Sequence, residues 1–454
     1  MSDAKQAGVI EIQTLLDNGN MGTLQWRAIL LCGTVALLDG FDTQMMGVLA
    51  PSISSALHIE LSSFGPIFSA ALLGYMVGAF IIGALADRCG RKACMIVSVL
   101  LFGVFTLVTS HAASYEQLLL LRFCAGLGLG GASPCFVALT SEYAPAKHRA
   151  LLVSLLWACF PLGGMIGGFA SSLLIPRWGW ESVFYVGGVL PLLLILVLIP
   201  ALPESLRFLA LRDPKGSRTK KILVELKADS IDADYQFSDA SNQKNVVQAS
   251  SIRLLFSGRM TGRTLLLWGA FFGTFCVLIA VGAWAPALMR SLGMPLAQAA
   301  TVLAVYNIGG VVGTIVLGKL IDKYSAHHVL FGAYLLAAMV LAPLGYASDS
   351  FAILLALIGA VGFFMAGASG GLVALASALY PVSARTTGIG WALGVGRVGS
   401  VAGPLIGGFL LQRNWSAGEL FLALCLPTLL AAIFIAALHI QEAASRIFKR
   451  RRAY

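Results

Sequence analysis

Long apolar runs separated by short polar turns follow one another along almost the whole chain. Twelve of these runs are long enough to cross a bilayer as a helix, which takes roughly 20 predominantly apolar residues. The predicted spans cover approximately residues 26–51, 62–86, 93–111, 116–143, 149–175, 182–201, 263–289, 297–320, 328–347, 351–379, 386–411 and 418–440. This pattern predicts an all-α membrane protein with twelve transmembrane helices.

One longer polar segment interrupts the series after the sixth span and divides it into two sets of six. The predicted organisation is an N-terminal segment, a six-helix bundle, a central loop, a second six-helix bundle and a basic tail, over residues 1–25, 26–201, 202–262, 263–440 and 441–454. A similar charged turn follows the second span of each set, at residues 83–92 and 318–324. Such a repeat indicates two pseudo-symmetric bundles, and transporters built this way bind substrate near the membrane mid-plane between them.

The composition supports a membrane protein and explains the excess of positive charge. Hydrophobic residues make up 58% of the chain and charged residues 11%, against about 25% charged in soluble domains. With the N-terminus inside, nearly all Lys and Arg outside the spans face the cytoplasm, as the positive-inside rule requires. The net charge of +10 therefore needs no nucleic acid partner. The polar first 25 residues predict no cleavable signal peptide and a cytoplasmic N-terminus, and the even number of spans returns the C-terminus to the same side.

Several motifs that suggest cofactors or enzymes are present in unsuitable places. The eight cysteines form no CxxC pair and none lies in an outer loop, so we expect no disulfide framework, metal site or cofactor. GxGxxG stretches at residues 126–131 and 394–399 lie inside apolar spans, where small residues let helices pack closely. A GxSxG stretch at residues 367–371 has no histidine at membrane depth to activate its serine. The sequence therefore predicts that the protein is not an enzyme.

Two carboxylates, Asp39 and Asp42, lie on one face of the first span. At ~1.5 Å per residue, Asp39 lies ~20 Å from Trp26 and Asp42 ~4.5 Å deeper, within a hydrocarbon core of ~30 Å. An ionised carboxylate there costs at least ~2.5 kcal/mol, so each needs a partner or a function, and a carboxylate away from water can take up and release a proton. Asp39 is the first candidate for the proton carrier. Asp42 either shares that role or is a salt-bridge partner that holds helices together.

Two arginines also lie deep within spans, away from the span ends. Arg122 lies ~9 Å from the outer end of the fourth span, close to the depth of Asp42. It either couples to the proton on Asp42 or Asp39, or forms a purely structural pair. Arg397 lies ~18 Å into the eleventh span, and apart from Glu419 at the start of the last span no acid lies within a span of the second half. A carboxylate substrate is therefore a natural bidentate partner for Arg397, with backbone carbonyls as the alternative.

The charged turn after the second span is a candidate cytoplasmic gate. It contains Asp87, Arg88, Gly90, Arg91 and Lys92. Its charges can bridge helix ends across the two halves and separate during each transport cycle, with Gly90 permitting the tight turn. Glu142, at the end of the fourth span, is a candidate partner for Arg91 or Arg149, and Asp322 lies in the matching turn of the second half. The alternative is that these charges only set the orientation in the membrane.

Several stretches resemble one family of transporters. The turn at residues 83–92 resembles the loop signature of the major facilitator superfamily, and residues 203–209 resemble the segment after the sixth span of its sugar-porter-like members. The Asp39-Gly-Phe-Asp42 stretch and residues 380–399 together look like the aromatic acid:proton symporter family. The resemblance covers essentially the whole chain. One departure is that the second-half turn has Lys323-Tyr324 where the first has Arg-Cys-Gly-Arg-Lys, so only the first turn is a complete match.

The resemblance implies a proton-coupled symporter that imports an aromatic carboxylate, such as a hydroxybenzoate, by alternating access. It also implies a multi-pass protein of a bacterial-type inner membrane, working as a monomer in the lipid bilayer with an aromatic acid and protons as its partners. An aromatic ring needs apolar and aromatic walls with a few polar anchors. Candidates for such a lining are Phe41, Gln44, Tyr306, Asn307 and Trp391, although ordinary packing explains each aromatic ring equally well.

Two other functions compete with this interpretation. Pro203-Glu204-Ser205 is compatible with a sugar, polyol or other organic-acid porter, but two intramembrane arginines favour an anion over a sugar. A membrane receptor or scaffold without transport activity would carry a folded soluble domain, and the central loop is too short and too polar for one.

Overall fold

The computed structural model describes residues 8–11, 21–212, 235–238, 253–346, 350–381 and 384–451. Parts of the predicted N-terminal segment, central loop and basic tail lie outside these residues. So do Val382 and Ser383 of the motif at residues 380–399.

Twelve helices of the described chain are long and apolar enough to cross a membrane, which confirms the predicted spans. In chain order, α1 to α12 are Thr23–Leu57, Phe64–Cys89, Arg91–Thr109, Tyr115–Tyr143, Arg149–Trp178, Glu181–Ala201, Arg259–Ser291, Leu296–Lys323, Ala326–Leu344, Phe351–Leu379, Arg385–Gln412 and Ala417–Arg451. The first helix continues well beyond the predicted end of its span, through Pro51 to a left-handed residue at His58. A run of apolar residues marks only the part of a helix that lies in an apolar environment. The helix itself extends into polar residues as far as its backbone hydrogen bonds continue.

Three smaller elements lie outside the spans. A short helix, Leu206–Arg212, follows α6, and two strands, β1 at Gly8–Glu11 and β2 at Tyr235–Ser238, pair in parallel. The strand pair was not predicted. It joins part of the N-terminal segment to part of the central loop and leaves the membrane region all-α.

The same helix pairs pack in both halves of the molecule. Contacts of α1 with α5, α2 with α4 and α3 with α6 are matched by contacts of α7 with α11, α8 with α10 and α9 with α12. Glycines permit the close pairs: a side chain at Gly130 would overlap the carbonyl of Tyr75, and one at Gly313 would overlap the carbonyl of Phe363. The matching contacts show that the two halves repeat one arrangement of six helices, as the repeated charged turn indicates. It also confirms that the glycine stretch of α4 serves helix packing.

Because successive helices cross in opposite directions, α1 begins and α12 ends on one side of the membrane, here called the terminal face. The other side is called the opposite face. The two halves contact each other through α1 with α7, α2 with α11 and α5 with α8. The Ser69 hydroxyl donates to the carbonyl of Val401 at 2.8 Å, and the Phe68 ring lies edge-on to Trp284 with centroids 5.2 Å apart. These four residues lie nearer the opposite face.

Toward the terminal face, two glycines of α11 have no neighbour on their side-chain side. Gly390 and Gly394 of α11 border empty space, with nothing within 4 Å of the position that a side chain would take. The side-chain contacts named between the halves thus lie nearer the opposite face, away from these two glycines.

Candidate functional site

The most enclosed charged pair joins Asp42 of α1 to Arg122 of α4. Nη1 of Arg122 donates to Oδ2 of Asp42 at 3.0 Å, and each side chain is 1% exposed. The Thr106 hydroxyl donates to Oδ1 of Asp42 at 2.6 Å and accepts from Nη2 of Arg122 at 3.2 Å. Nη2 also donates to Thr109 at 3.3 Å, and the guanidinium carbon lies 5.1 Å from the Phe184 ring centre.

This network belongs entirely to the first half and occupies both carboxylate oxygens of Asp42. A buried ion pair is maintained only when such additional hydrogen bonds satisfy its charges. From the sequence, Arg122 could meet either Asp39 or Asp42, and in the structure it meets Asp42. The arrangement ties α1, α3 and α4 together.

Asp39 lies one helical turn nearer the terminal face and is differently placed. It is equally buried, at 1% exposed. The Thr43 hydroxyl donates to its Oδ1 at 3.2 Å, whereas Oδ2 has no hydrogen-bond partner among the residues that the structure describes. A buried carboxylate oxygen without a donor is an unusual feature that calls for a functional explanation. Oδ2 is the position on this acid at which a proton can bind.

Arg397 of α11 brings a positive charge from the second half to the level of Asp39. Its guanidinium carbon lies 4.6 Å from the ring centre of Tyr75 on α2, within the range of a cation–π contact. Apart from Glu419 at the start of the last predicted span, the second half has no acid within its predicted spans. Asp39 lies on the first half and Arg397 on the second, so the two opposite charges belong to different halves of the molecule.

A second polar contact across the interface joins Gln44 of α1 to Asn307 of α8. Nδ2 of Asn307 donates to Oε1 of Gln44 at 2.8 Å and to the carbonyl of Leu303 at 3.0 Å. The neighbouring Tyr306 donates its hydroxyl to the carbonyl of Leu278 at 2.7 Å, within the second half. Two amide groups thus lie near the carboxylate and the guanidinium, where they can exchange their mutual hydrogen bond for one to a ligand.

The two remaining lining candidates lie elsewhere. Phe41 is 3% exposed and its ring contacts Gly167 of α5 and Gly187 of α6, inside the first half. Trp391 lies near the terminal-face end of α11 and stacks on Trp268 of α7, with ring centroids 5.9 Å apart and an interplanar angle of 18°. The structure therefore groups Asp39, Arg397, Gln44 and Asn307 at the interface and leaves these two rings outside that group.

The charged turn between α2 and α3 binds partners from its own half. Arg91 forms an ion pair with Glu142 at the end of α4 and another, at 3.7 Å, with Asp87. The backbone N–H groups of Arg91 and Lys92 donate to Oε1 of Glu204 at 2.8 and 3.0 Å. A carboxylate at the start of α3 satisfies free N–H groups and complements the helix dipole.

The other predicted gate residues complete the same picture. Gly90 has a φ of +98°, which explains a glycine at this turn. Arg88 accepts a hydrogen bond on its carbonyl from Arg212 of the short helix. Asp322 is exposed at the end of α8. The contacts named at this turn are made within α2 and with α4, and with Glu204 and Arg212 of the segment that follows α6.

Several residues of the site have no strong signal in the sequence. Tyr75 is one aromatic ring among many in apolar spans, so nothing singles it out before its contact with Arg397 is known. Thr106 and Thr109 are three residues apart at the end of a predicted span, and two hydroxyls on one helix face are a usable signal for a buried polar partner. They hold Arg122 from the third helix.

The chemistry available is that of ion binding, not of bond cleavage. The group at the interface has one acid with an unoccupied oxygen, one guanidinium with planar N–H donors and two amides. Within the described chain, no group of three or more His, Cys, Asp or Glu side chains is placed to hold a metal ion. Such a set can bind a proton and an organic anion together.

Comparisons with known proteins agree with this architecture. The chain matches the family described as Major Facilitator Superfamily over residues 32–350 and 266–453. It is 38% identical to the 4-hydroxybenzoate transporter PcaK of Pseudomonas putida, over 93% of this chain and 94% of that protein. It is 36% identical to the gallate transporter of Pseudomonas putida, over 94% and 95%. The inward-open xylose transporter XylE from E. coli matches with a TM-score of 0.70 at 19% identity, over 90% of this chain and 95% of that one, which shows the fold alone.

Proposed function

Because this chain belongs to the Major Facilitator Superfamily, and within it to the aromatic acid transporters, we propose that it imports an aromatic carboxylate together with protons by alternating access. The observation that carries the proposal is that the first half holds a buried carboxylate with a free oxygen, Asp39, while the guanidinium of Arg397 reaches from the second half across the interface to Tyr75. Relatives named as transporters of 4-hydroxybenzoate and gallate point to a hydroxylated benzoate as the substrate class.

In this proposal the substrate carboxylate binds the planar N–H edge of Arg397. An arginine can hold a carboxylate through two parallel hydrogen bonds, which fixes the orientation of the acid. Gln44 and Asn307 then provide polar groups for substituents on the ring, and Tyr306 is the nearest predicted aromatic wall, on the same helix as Asn307. Phe41 and Trp391 remain predictions as lining residues.

The charges at the interface provide a reason for coupling. Without substrate, Asp39 and Arg397 together carry no net charge. With a bound monoanion and a protonated Asp39, the net charge is again zero, whereas either ligand alone leaves one unbalanced charge. An unbalanced charge between closing apolar walls is costly, since low dielectric makes desolvation of an ion expensive. Only the empty and the doubly loaded transporter then change conformation readily, and this is the property that defines a symporter.

We place the terminal face in the cytoplasm and the protein in the inner membrane of a bacterial-type cell. The Lys and Arg residues outside the spans lie mainly at that face, which agrees with the positive-inside rule. The state described here is then the inward-open one, after release of substrate and proton. The turn at residues 83–92, with Glu142 and Asp322, would close the cytoplasmic side when the halves approach, and one chain contains all the groups that a functional monomer needs.

The test is uptake by the full-length protein in proteoliposomes. Labelled benzoates, phenylpropanoates, muconate and a sugar would each be offered with and without an inward proton gradient. We expect a hydroxylated benzoate to accumulate only when the gradient is present. Gradient-independent entry of a sugar would favour the sugar-porter alternative, and no uptake of any compound would contradict a transport function.

A further inference from the structure

The contact between Gln44 and Asn307 uses only one edge of each amide. Nδ2 of Asn307 donates to Oε1 of Gln44 at 2.8 Å, and this bond joins the two halves of the molecule. Nε2 of Gln44 and Oδ1 of Asn307 have no hydrogen-bond partner among the residues that the structure describes, and neither atom is fully enclosed. Two joined side chains therefore leave one amide donor and one amide acceptor unused and accessible.

A third group fixes which atoms these are. The oxygen and nitrogen of an amide side chain are identified by the hydrogen bonds that they make. The carbonyl of Leu303 can only accept, so the atom of Asn307 that lies 3.0 Å from it is the nitrogen. The same nitrogen lies 2.8 Å from the Gln44 amide, so the Gln44 atom at that position is the oxygen. The unused atoms are therefore the oxygen of Asn307 and the nitrogen of Gln44.

A ring hydroxyl is the substituent that matches this pair of atoms. Its oxygen can accept a hydrogen bond from Nε2 of Gln44, and its O–H can donate one to Oδ1 of Asn307. An ether oxygen and an ionised carboxylate can accept but cannot donate, and an unsubstituted ring does neither. The amide pair thus distinguishes a hydroxylated ring from a methoxylated or unsubstituted one.

Gly164 of α5 provides the space in which the Gln44 amide lies. A side chain at position 164 would overlap this amide, and its three nearest atoms would all belong to it. The helix α5 cannot move away to make room, because a side chain at the neighbouring Gly163 would overlap the carbonyl of Leu37, so α5 and α1 are in direct backbone contact. A methyl group at position 164 must therefore displace the amide of Gln44.

We propose that Gln44 and Asn307 form a subsite for a ring hydroxyl of the substrate, and that Gly164 is a positioning residue that keeps the Gln44 amide in this subsite. This inference rests on the proposed function and deepens it, because it names the substituent that the site selects and the atoms that select it. It predicts that a glycine without any contact to the substrate controls the preference for hydroxylated over unsubstituted benzoates.

Two substitutions test the subsite and its support. Gly164→Ala displaces the Gln44 amide, and Gln44→Met keeps an unbranched side chain but removes both polar atoms. Gly332→Ala is the matched control, because Gly332 also lies inside a helix, α9, and nothing lies within 4 Å of the position that its side chain would take.

The measurement is equilibrium binding of benzoate, of the three hydroxybenzoate isomers and of their methyl ethers to the purified full chain. Its result is the ratio between the dissociation constants of benzoate and of the hydroxybenzoate that binds most tightly. A general loss of packing or stability would weaken the binding of all these acids alike and leave this ratio unchanged.

For the wild type we expect one hydroxybenzoate to bind about fivefold more tightly than benzoate and than its own methyl ether, which is the net effect of about one hydrogen bond. In Gly164→Ala and in Gln44→Met the ratio should fall to about one, whereas the dissociation constant of benzoate itself should stay within about threefold of the wild type. Gly332→Ala should keep the wild-type ratio.

A wild-type protein that binds benzoate as tightly as every hydroxybenzoate would overturn the subsite, and so would an unchanged ratio in Gln44→Met. An unchanged ratio in Gly164→Ala would overturn the role of the glycine. If Gly164→Ala does not fold, adding Gln44→Ala should restore folding, since the group that the new methyl group displaces is then gone, and no recovery would contradict the inference. Failure of the proposed function is a different result, because the wild type would then neither bind nor accumulate any aromatic acid.

Discussion

Asp39 and Asp42 lie one turn apart on the same helix, are equally buried, and have opposite relations to the rest of the molecule. Asp42 uses both oxygens and its partner Arg122 belongs to the same half. Asp39 uses one oxygen, and the guanidinium proposed to work with it, Arg397, belongs to the other half. Rocking of the halves leaves the first pair intact and alters the second. A buried charge is therefore a structural element when its partners move with it, and a candidate for coupling when they do not.

The largest effect, on folding, is expected when the buried ion pair of Asp42 and Arg122 is broken. Arg122→Leu leaves the Asp42 carboxylate buried without its cation, which costs about 3–5 kcal/mol when one member of a buried pair is removed. We expect little folded protein, measured as monodisperse yield and thermal unfolding in detergent. Arg413→Leu, at an exposed arginine beyond the end of α11, should behave like the wild type. A stable, normally expressed Arg122→Leu protein would show that the pair is dispensable for folding.

Asp39→Asn should remove transport while sparing the fold. The amide cannot take up a proton, yet it can still accept the hydrogen bond from Thr43. We expect gradient-driven accumulation in proteoliposomes to fall to the level of empty vesicles, whereas exchange of internal for external substrate persists. Glu60→Gln makes the same chemical change at an exposed position and should transport normally. Accumulation by the Asp39→Asn protein would refute the proton role of this residue.

Arg397→Lys keeps the positive charge at this position but removes the planar guanidinium group. Lysine can neither bind a carboxylate through two parallel bonds nor stack its charged group flat on Tyr75. We expect the dissociation constant of the substrate to rise about 10–100-fold, a change of ~1.4–2.8 kcal/mol, measured by equilibrium binding. Arg290→Lys, at the exposed end of α7, is the control. Unchanged affinity would mean that the substrate carboxylate binds elsewhere.

The smallest effect is expected at the neutral contact across the interface. Asn307→Ala and Gln44→Ala each remove one uncharged hydrogen bond, worth ~1 kcal/mol, so substrate affinity should change by no more than about fivefold. If the two amides act as a pair, the double variant should lose little more substrate affinity than either single variant. Losses larger than those of Arg397→Lys would show that the amides, not the arginine, dominate substrate binding.

Much of the architecture could be read from the sequence because it depends on local patterns. Apolar runs predicted all twelve spans, and the repeated charged turn predicted the two halves. Asp39, Asp42, Arg122 and Arg397 were identifiable because an ionisable residue in an apolar run is conspicuous. Tyr75 and Thr106 were not, because a tyrosine or a threonine is common in such runs and gains meaning only from the charge that it contacts.

The sequence by itself therefore determined the number of helices, their division into halves and the identity of the buried charges, since transfer of each segment into a bilayer depends on its own composition. Only the tertiary structure decided which charges meet. Asp42 rather than Asp39 binds Arg122, and Arg397 reaches Tyr75 of the first half from more than 300 residues away along the chain. Three residues along one helix separate the two acids, and their surroundings differ because helix packing, not chain position, decides which helices reach each of them.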